Sequence, residues 1–540
     1  MKKFNIKPIM VIILLIGLGL VIGGTLAYFS TTDTFNNEFN ASDYVIEVKE
    51  TFESPDNWIP GDTTQKEIIA TNKSDTTAAV RVKLTPSWKD ANGDPLDLTD
   101  NNDNEAAIIN YSFDLDYKWI KDGDWYYYIR PIDKNESTSS IIESVTFNPL
   151  INVSDTSCET EAETGSLVCT SGSTGYGGGT YTLNVDIETC QYDKYKEIWN
   201  TNVSIEASEK KDGTLKRVTV DSYDIYGNPG NISRNAFESV MVLDIINIPN
   251  NAIESWDCSE EQNESIMCWY TDIDNDSKYE LYIGQEGGVK ANPNSENAFG
   301  NYHYATYLNM KYLDTSEVTD MNHMFFYSGY QSSNLGKFQI KGLDNWDTSE
   351  VEDMSFMFSF AGRYNPEYSI GDLSKWNTSN VKYMNNMFER TSESAFKFDI
   401  GNIGNWNVSN VTNMKSMFEQ AGNYSKYWSI GDLSNWNTSN VSTMENMFFY
   451  AGYGAISWNS IGTLKIYTTV ISDIMFSVGG AKATFNIYSN PTGYGSAFSY
   501  AATKEGSGIT VNYSSNTTNI DNIIATKSSN SNVVKGSLLD

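Results

Sequence analysis

The stretch WNTSNVKYMNNMF, residues 376–388, sets Met384 and Met387 beside Val381 and Phe388, and near copies begin at Trp346, Trp406 and Trp436. A methionine thioether is a soft donor suited to copper(I), provided several sulfurs converge on one ion. The same residues have a second use. Val381, Met384, Met387 and Phe388 stand at i, i+3, i+6 and i+7, one face of a helix, and methionine fills irregular core gaps well. The other units supply Val351, Met354, Met357 and Phe358; Val411, Met414, Met417 and Phe418; and Val441, Met444, Met447 and Phe448. With a tryptophan ahead of each set, core packing explains the pattern better than a metal does.

Other chemistry is sparse. Asp272, Asp274, Asp276 and Glu280 are spaced like the start of a calcium loop, yet Ser277 occupies the position that needs glycine and Ile283 stands where the twelfth ligand belongs. These four are candidate ligands of a looser calcium site, against the plainer reading of a solvated acidic turn. The chain has two histidines, His303 and His323, and lacks HExxH, nucleophile-elbow, phosphate-loop and CxxC motifs. No catalytic set follows, and no cofactor beyond calcium. A formal net charge of −32 over 540 residues repels nucleic acid and anionic lipid. Of five cysteines, Cys158 with Cys169 and Cys258 with Cys268 bracket short loops, so two local disulfides are expected and Cys190 is left over. Reduced thiols throughout are the alternative.

The elements that carry these residues fall into regions. Basic MKKFNIK, then apolar IMVIILLIGLGLVIGG, then Thr25-Leu26-Ala27 read as a signal peptide over 1–27, cleaved between Ala27 and Tyr28. Export is therefore expected, with no membrane association after cleavage; a retained membrane anchor is the alternative. Residues 28–205 alternate apolar and polar side chains between turn clusters (YVIEVKETF, VRVKLTPSW, YTLNVDIET), which predicts an all-β antiparallel sandwich. Residues 206–235 read as a linker or entry cap.

Residues 236–540 become periodic. Val318, Val351, Val381, Val411 and Val441 are separated by 33, 30, 30 and 30 residues, a period that marks a solenoid. Each unit reads as a short bent strand, an Asn-Thr-Ser cap, a short helix and an Ala-Gly stop, as at Ala361-Gly362, Ala421-Gly422 and Ala451-Gly452. The third unit, that of Val381, has Thr391-Ser392 in place of Ala-Gly. Core repeats are expected over 307–480 and a C-terminal cap over 481–540. The fold class is thus mixed, an all-β sandwich followed by an α/β leucine-rich-repeat-like solenoid of ~30-residue units.

Two resemblances follow from these residues. GTLAYFSTTDTFNNEF, WIPGD and the ATNKSD…VRVKL pairing resemble the TasA/camelysin group of biofilm-matrix proteins, released by a dedicated signal peptidase. That resemblance implies a jelly roll able to polymerise by donating a freed N-terminal strand, here Tyr28, Phe29, Phe35 and Phe39. It also raises a metallopeptidase activity, for which this segment has no HExxH. LDTSEVTDMNHMF and the WNTSNV-type words resemble the BspA-like (DUF285) surface-protein repeats. They imply a secreted Gram-positive cell-surface or biofilm-matrix protein that adheres to an extracellular protein or glycan. A structural fibre subunit, self-assembling through its jelly roll, is the alternative. The tyrosine-rich loops SFAGRYNPEYS (359–369) and EQAGNYSKYWS (419–429) are where contacts are expected.

Overall fold

A computed structural model describes residues 45–52, 58–112, 118–151, 154–160, 167–173, 176–206, 211–230, 232–331, 336–475 and 477–539. Ala27, Tyr28, Phe29, Phe35 and Phe39 lie outside these residues. The chain divides into two units, Met1–Ser208 and Glu209–Asp540, and both are mainly β.

In the first unit strict side-chain alternation makes the strands. TTQKEIIATN buries every second residue, so Ile68 and Ala70 face one way and Glu67 and Ile69 the other. The strands are β1 (Ile46–Phe52), β2 (Thr63–Asn72), β3 (Ala78–Lys89), β4 (Pro95–Leu96), β5 (Ala107–Tyr111), β6 (Trp119–Asp122), β7 (Trp125–Tyr128), β8 (Ile142–Phe147), β9 (Ser154–Thr160), β10 (Leu167–Ser173) and β11 (Thr180–Gln191). One antiparallel sheet runs β1-β2-β8-β5; a second runs β11-β3-β7-β6, with β4 beside β3. Ile68, Val145 and Phe147 of the first share a core with Val82, Trp88, Val185 and Ile187 of the second. The β9–β10 hairpin stands as its own two-stranded sheet.

The second unit opens with β12 (Phe237–Leu243), β13 (Glu254–Asp257), β14 (Met267–Thr271), β15 (Tyr279–Gly284), β16 (Val289–Lys290), β17 (Tyr307–Asn309) and β18 (Leu313–Asp314). Residues 211–230 and 232–235 cap it: Leu215, Val218, Ile225 and Tyr226 join the same core as the repeats. Buried Arg234 donates to the carbonyls of Asp224, Asn297 and Gly300. From β12 the first sheet turns parallel and advances one coil per repeat through β17, β19 (Lys337–Lys341) and β20 (Glu367–Ser369). A second parallel sheet holds β21 (Lys397–Asp399), β22 (Tyr427–Ser429) and β23 (Ser457–Trp458), and a third holds β24 (Thr463–Ile466), β25 (Lys482–Ile487), β26 (Gly508–Tyr513) and β27 (Val533–Leu538). Coils 1 to 5 are named here for Val318, Val351, Val381, Val411 and Val441.

The expected helix of each repeat is not there. The segment after each valine is a run of turns, joined to its neighbours by single parallel bridges Asp320–Asp353, Asp353–Tyr383, Tyr383–Asn413 and Asn413–Thr443. The backbone N–H groups of Met384, Asn386, Phe388 and Arg390 donate to Asn413, Lys415, Met417 and Glu419 of the next coil, at 2.7–3.1 Å. Those of Met387, Glu389 and Thr391 close turns on the residue three back. A chain of such turns returns i and i+3 to one side, which imitates helical spacing in the sequence. Asn386 (φ 58°), Ser416 (φ 55°) and Asn446 (φ 57°) take the left-handed backbone that interrupts a helix, and asparagine does so at low cost. Because the adjoining coil satisfies the backbone amides, no local helix is needed. Thr378 caps nothing: its hydroxyl donates to the Asn407 carbonyl one coil on, at 3.1 Å.

Candidate functional site

The residues singled out by their chemistry are sealed. Val351, Met354, Met357, Phe358, Val381, Met384, Met387, Phe388, Val411, Met414, Met417 and Phe418 are fully buried, as are Met444, Met447 and Phe448, with Val441 nearly so. The phenylalanines stack face to face along the coils, Phe358–Phe388 at 5.4 Å and Phe388–Phe418 at 5.5 Å. Trp346, Trp376 and Trp406 form a second stack at 6.1 Å spacing. The indoles of Trp376, Trp406 and Trp436 donate to the carbonyls of Leu343, Leu373 and Ile403 in the preceding coil. The methionines are thus sealed inside the same core as these rings, out of reach of an ion from solvent.

The acidic loop joins β14 to β15. The carboxylates of Asp272, Asp274 and Asp276 come within 4.8 Å of one another, the one such group of three among the described residues. Asp272 already accepts the backbone N–H of Asp276 and Ser277, and Asp276 that of Lys278. Glu280 does not join them. It is buried and accepts from Thr271 Oγ1 at 2.8 Å and Ile273 N at 3.3 Å. Burial holds its carboxyl above the usual range despite those bonds. Burial, followed by the nearby Asp276 and Glu280 charges, does the same to Glu238 on β12. Three carboxylates on a hairpin are a donor set for a hard cation, but Glu280, the fourth expected ligand, is turned into the protein.

Cys258 and Cys268 form a disulfide with Cα atoms 5.8 Å apart. The β9–β10 register sets Cys158 directly opposite Cys169. Cys190 is a buried free thiol whose pKa burial pushes up to about 12, which makes it inert at neutral pH. The histidines stand among rings: His323 stacks on Phe356 at 4.6 Å, and His303 meets Tyr327 and Tyr330. Burial lowers both pKa values. In the first unit a cleft of about 620 Å³ lies among Leu84, Ile109, Tyr111, Tyr126 and Tyr181.

One corner of the coil stack, between the turn run and the strand, carries a row of exposed apolar residues. Tyr364, Phe396, Tyr424 and Ile456 stand there with 40, 62, 58 and 73 % of their surface accessible. The loops 359–369 and 419–429 contribute Tyr364, Tyr424 and Tyr427, while Tyr368 and Trp428 turn inward. Phe396 and Ile456 belong to coils that no tyrosine run drew attention to. Aligning all the repeats in register, and asking where a large apolar residue falls outside the core columns, would have found them.

The overlapping segments 294–400 and 367–466 match the family described as Mycoplasma protein of unknown function, DUF285. Residues 5–116 match the family described as camelysin metallo-endopeptidase. No curated protein and no solved structure matches the chain. Both histidines lie outside the camelysin match. Among the described residues, no helix is long and apolar enough to cross a membrane. Over its N-terminal part this chain is similar to the camelysin family, and over its central repeats to the DUF285 family.

Proposed function

We propose that this is an exported surface protein that adheres through its repeat array. In this reading the first unit is a jelly roll of the TasA/camelysin kind. The second is a solenoid of leucine-rich-repeat type whose helices have been replaced by turns. One observation carries the proposal. The inward columns are constant from coil to coil, whereas the outward corner changes, with Tyr364, Ser394, Tyr424 and Gly454 at one equivalent position. A scaffold with a fixed core and a variable face is the build of a binding array. Exposed tyrosines supply amphipathic contact area at low entropic cost. A non-catalytic role is supported by the sealed methionines and by histidines packed among rings.

The test is a screen of the full exported chain against immobilised extracellular-matrix proteins and glycans, read by surface plasmon resonance. Saturable binding that weakens on Tyr364→Ala supports the proposal. Absence of binding to every class, or binding that survives removal of all the corner tyrosines, sinks it.

A further inference from the structure

The exposed corner has a regularity that ligand binding does not require. Backbone hydrogen bonds hold it in register. Ser394 N–H donates to Arg363 O, Tyr424 N–H to Glu393 O and Gly454 N–H to Asn423 O, at 2.6–3.0 Å. Two positions on, Phe396 N–H donates to Pro366 O, Lys426 N–H to Phe396 O and Ile456 N–H to Lys426 O, at 2.8–3.0 Å. Two outward columns therefore run up coils 2 to 5. The first reads Tyr364, Ser394, Tyr424, Gly454; the second reads Pro366, Phe396, Lys426, Ile456. In the first, large and small alternate. In the second, the bulky apolar residues fall on the coils where the first is small.

From this alternation we infer that the corner is a self-complementary surface, and that its partner is a second copy of this chain. A two-fold axis between coils 3 and 4 sets coil 2 against coil 5 and coil 3 against coil 4. Tyr364 then meets Gly454 and Tyr424 meets Ser394, each knob opposite a gap. Ile456 meets Pro366, and Phe396 meets the Lys426 ammonium. The flanking column on the strand side obeys the same rule, bringing Lys397 to Tyr427, a cation on an aromatic ring. Within the two outward columns no two like charges face each other. Any residue i that meets j across such an axis has j meeting i on the other side, the signature of an isologous contact.

Charge points the same way. The segments 363–367, 393–397, 423–427 and 453–457 carry three cations (Arg363, Lys397, Lys426) and two carboxylates (Glu367, Glu393), for a net +1 in a chain of −32. Two strongly acidic molecules repel elsewhere and approach most readily here. Four coils at one strand spacing each make a ridge roughly 19 Å tall. That lies at the small end for a specific contact, so the pair is expected to form and dissociate with concentration.

The test uses the full exported chain in sedimentation velocity over a wide concentration range. A monomer–dimer equilibrium is expected. Tyr424→Asp and, independently, Phe396→Asp weaken it by roughly tenfold or more while leaving the melting temperature in place, because both side chains are mainly exposed. Glu367→Cys/Ser457→Cys, treated with a short bis-maleimide, gives a covalent dimer that neither single cysteine variant nor the parent gives. Within one chain the two positions are three coils, roughly 14 Å, apart, so a short link between them reports a second molecule. A chain that stays monomeric at all concentrations overturns the inference. So does a dimer that survives both aspartates and gives no specific cross-link, since it forms through another surface.

Discussion

The indole of Trp406 lies 6.1 Å from that of Trp376, within 5° of parallel, and donates its Nε1–H to the Leu373 carbonyl at 2.9 Å. One side chain therefore fills the core and satisfies a backbone acceptor of the preceding coil. Trp406→Phe keeps an aromatic ring but loses the indole bond, while the Leu373 oxygen still accepts the Trp376 backbone N–H at 3.2 Å. A loss of ~1–2 kcal/mol is expected, from the lost hydrogen bond and the smaller ring together. Urea unfolding followed by far-UV circular dichroism measures it; a loss below the error of the fit would mean that the indole bond contributes nothing.

Much of this stack is legible in the sequence, and the reason is physical. A coil that repeats every 30 residues must bury the same columns each time, so Val381, Met384, Met387 and Phe388 can be placed inside from spacing alone. The turn-for-helix exchange is not legible in that way. Turns of three residues and helical turns both bring Met384 and Met387 to one side, and only the hydrogen bonds to the next coil distinguish them. Glu280 is another such case. Its spacing suits a calcium loop, and its inward turn depends on Thr271 and Ile273, which no spacing rule weighs. The exposed corner is encoded in plain view, but as a relation between repeats rather than a motif within one.

Ser392 tests how much backbone strain the array tolerates. Its position is occupied by glycine in neighbouring coils, and it adopts φ 52°, almost the φ 53° of Gly422. Its hydroxyl is buried without a hydrogen-bond partner among the described residues. Ser392→Gly should stabilise the protein by ~1 kcal/mol, by removing both the left-handed strain and the orphan group. The reverse change, Gly422→Ala, should destabilise it by more, since a Cβ there would sit 2.6 Å from that of Phe398. Thermal melts of the two variants should move in opposite directions.

The methionine columns are predicted to be packing alone. Met387→Leu conserves volume and should cost less than ~1.5 kcal/mol, whereas Met387→Asp buries a charge and should unfold the array. Copper(I) added under reducing conditions should leave the melting temperature of the parent unchanged. A copper-dependent rise that Met387→Leu abolishes would restore the metal reading.

Glu280 gives a pH dependence of determinate sign. Its folded pKa is raised by burial above the unfolded value of about 4.3. The group therefore favours the fold below that value, and the contribution is lost as pH rises through the folded pKa. Glu280→Gln keeps an oxygen that can accept from Thr271 and Ile273 but cannot ionise. It should gain stability relative to the parent between about pH 4 and neutrality and be indistinguishable from it in acid. Paired urea titrations at several pH values measure the difference, and two parallel curves would show that burial of the charge costs nothing.

The cysteines should separate into two classes. Non-reducing peptide mapping of the protein is expected to find Cys258–Cys268, and also Cys158–Cys169, which the strand register sets face to face. Cys190 should resist alkylation in the native protein and react only after unfolding, since its thiol is buried and its pKa is pushed up to about 12. Reducing the Cys258 bridge, which closes a loop with a sequence separation of 10, should cost ~2–3 kcal/mol. The loss should fall on the second unit, because both cysteines sit in the core that the repeats share. A reduced protein as resistant to urea as the oxidised one would place the stability of this end of the array in its packing, with the bridge redundant.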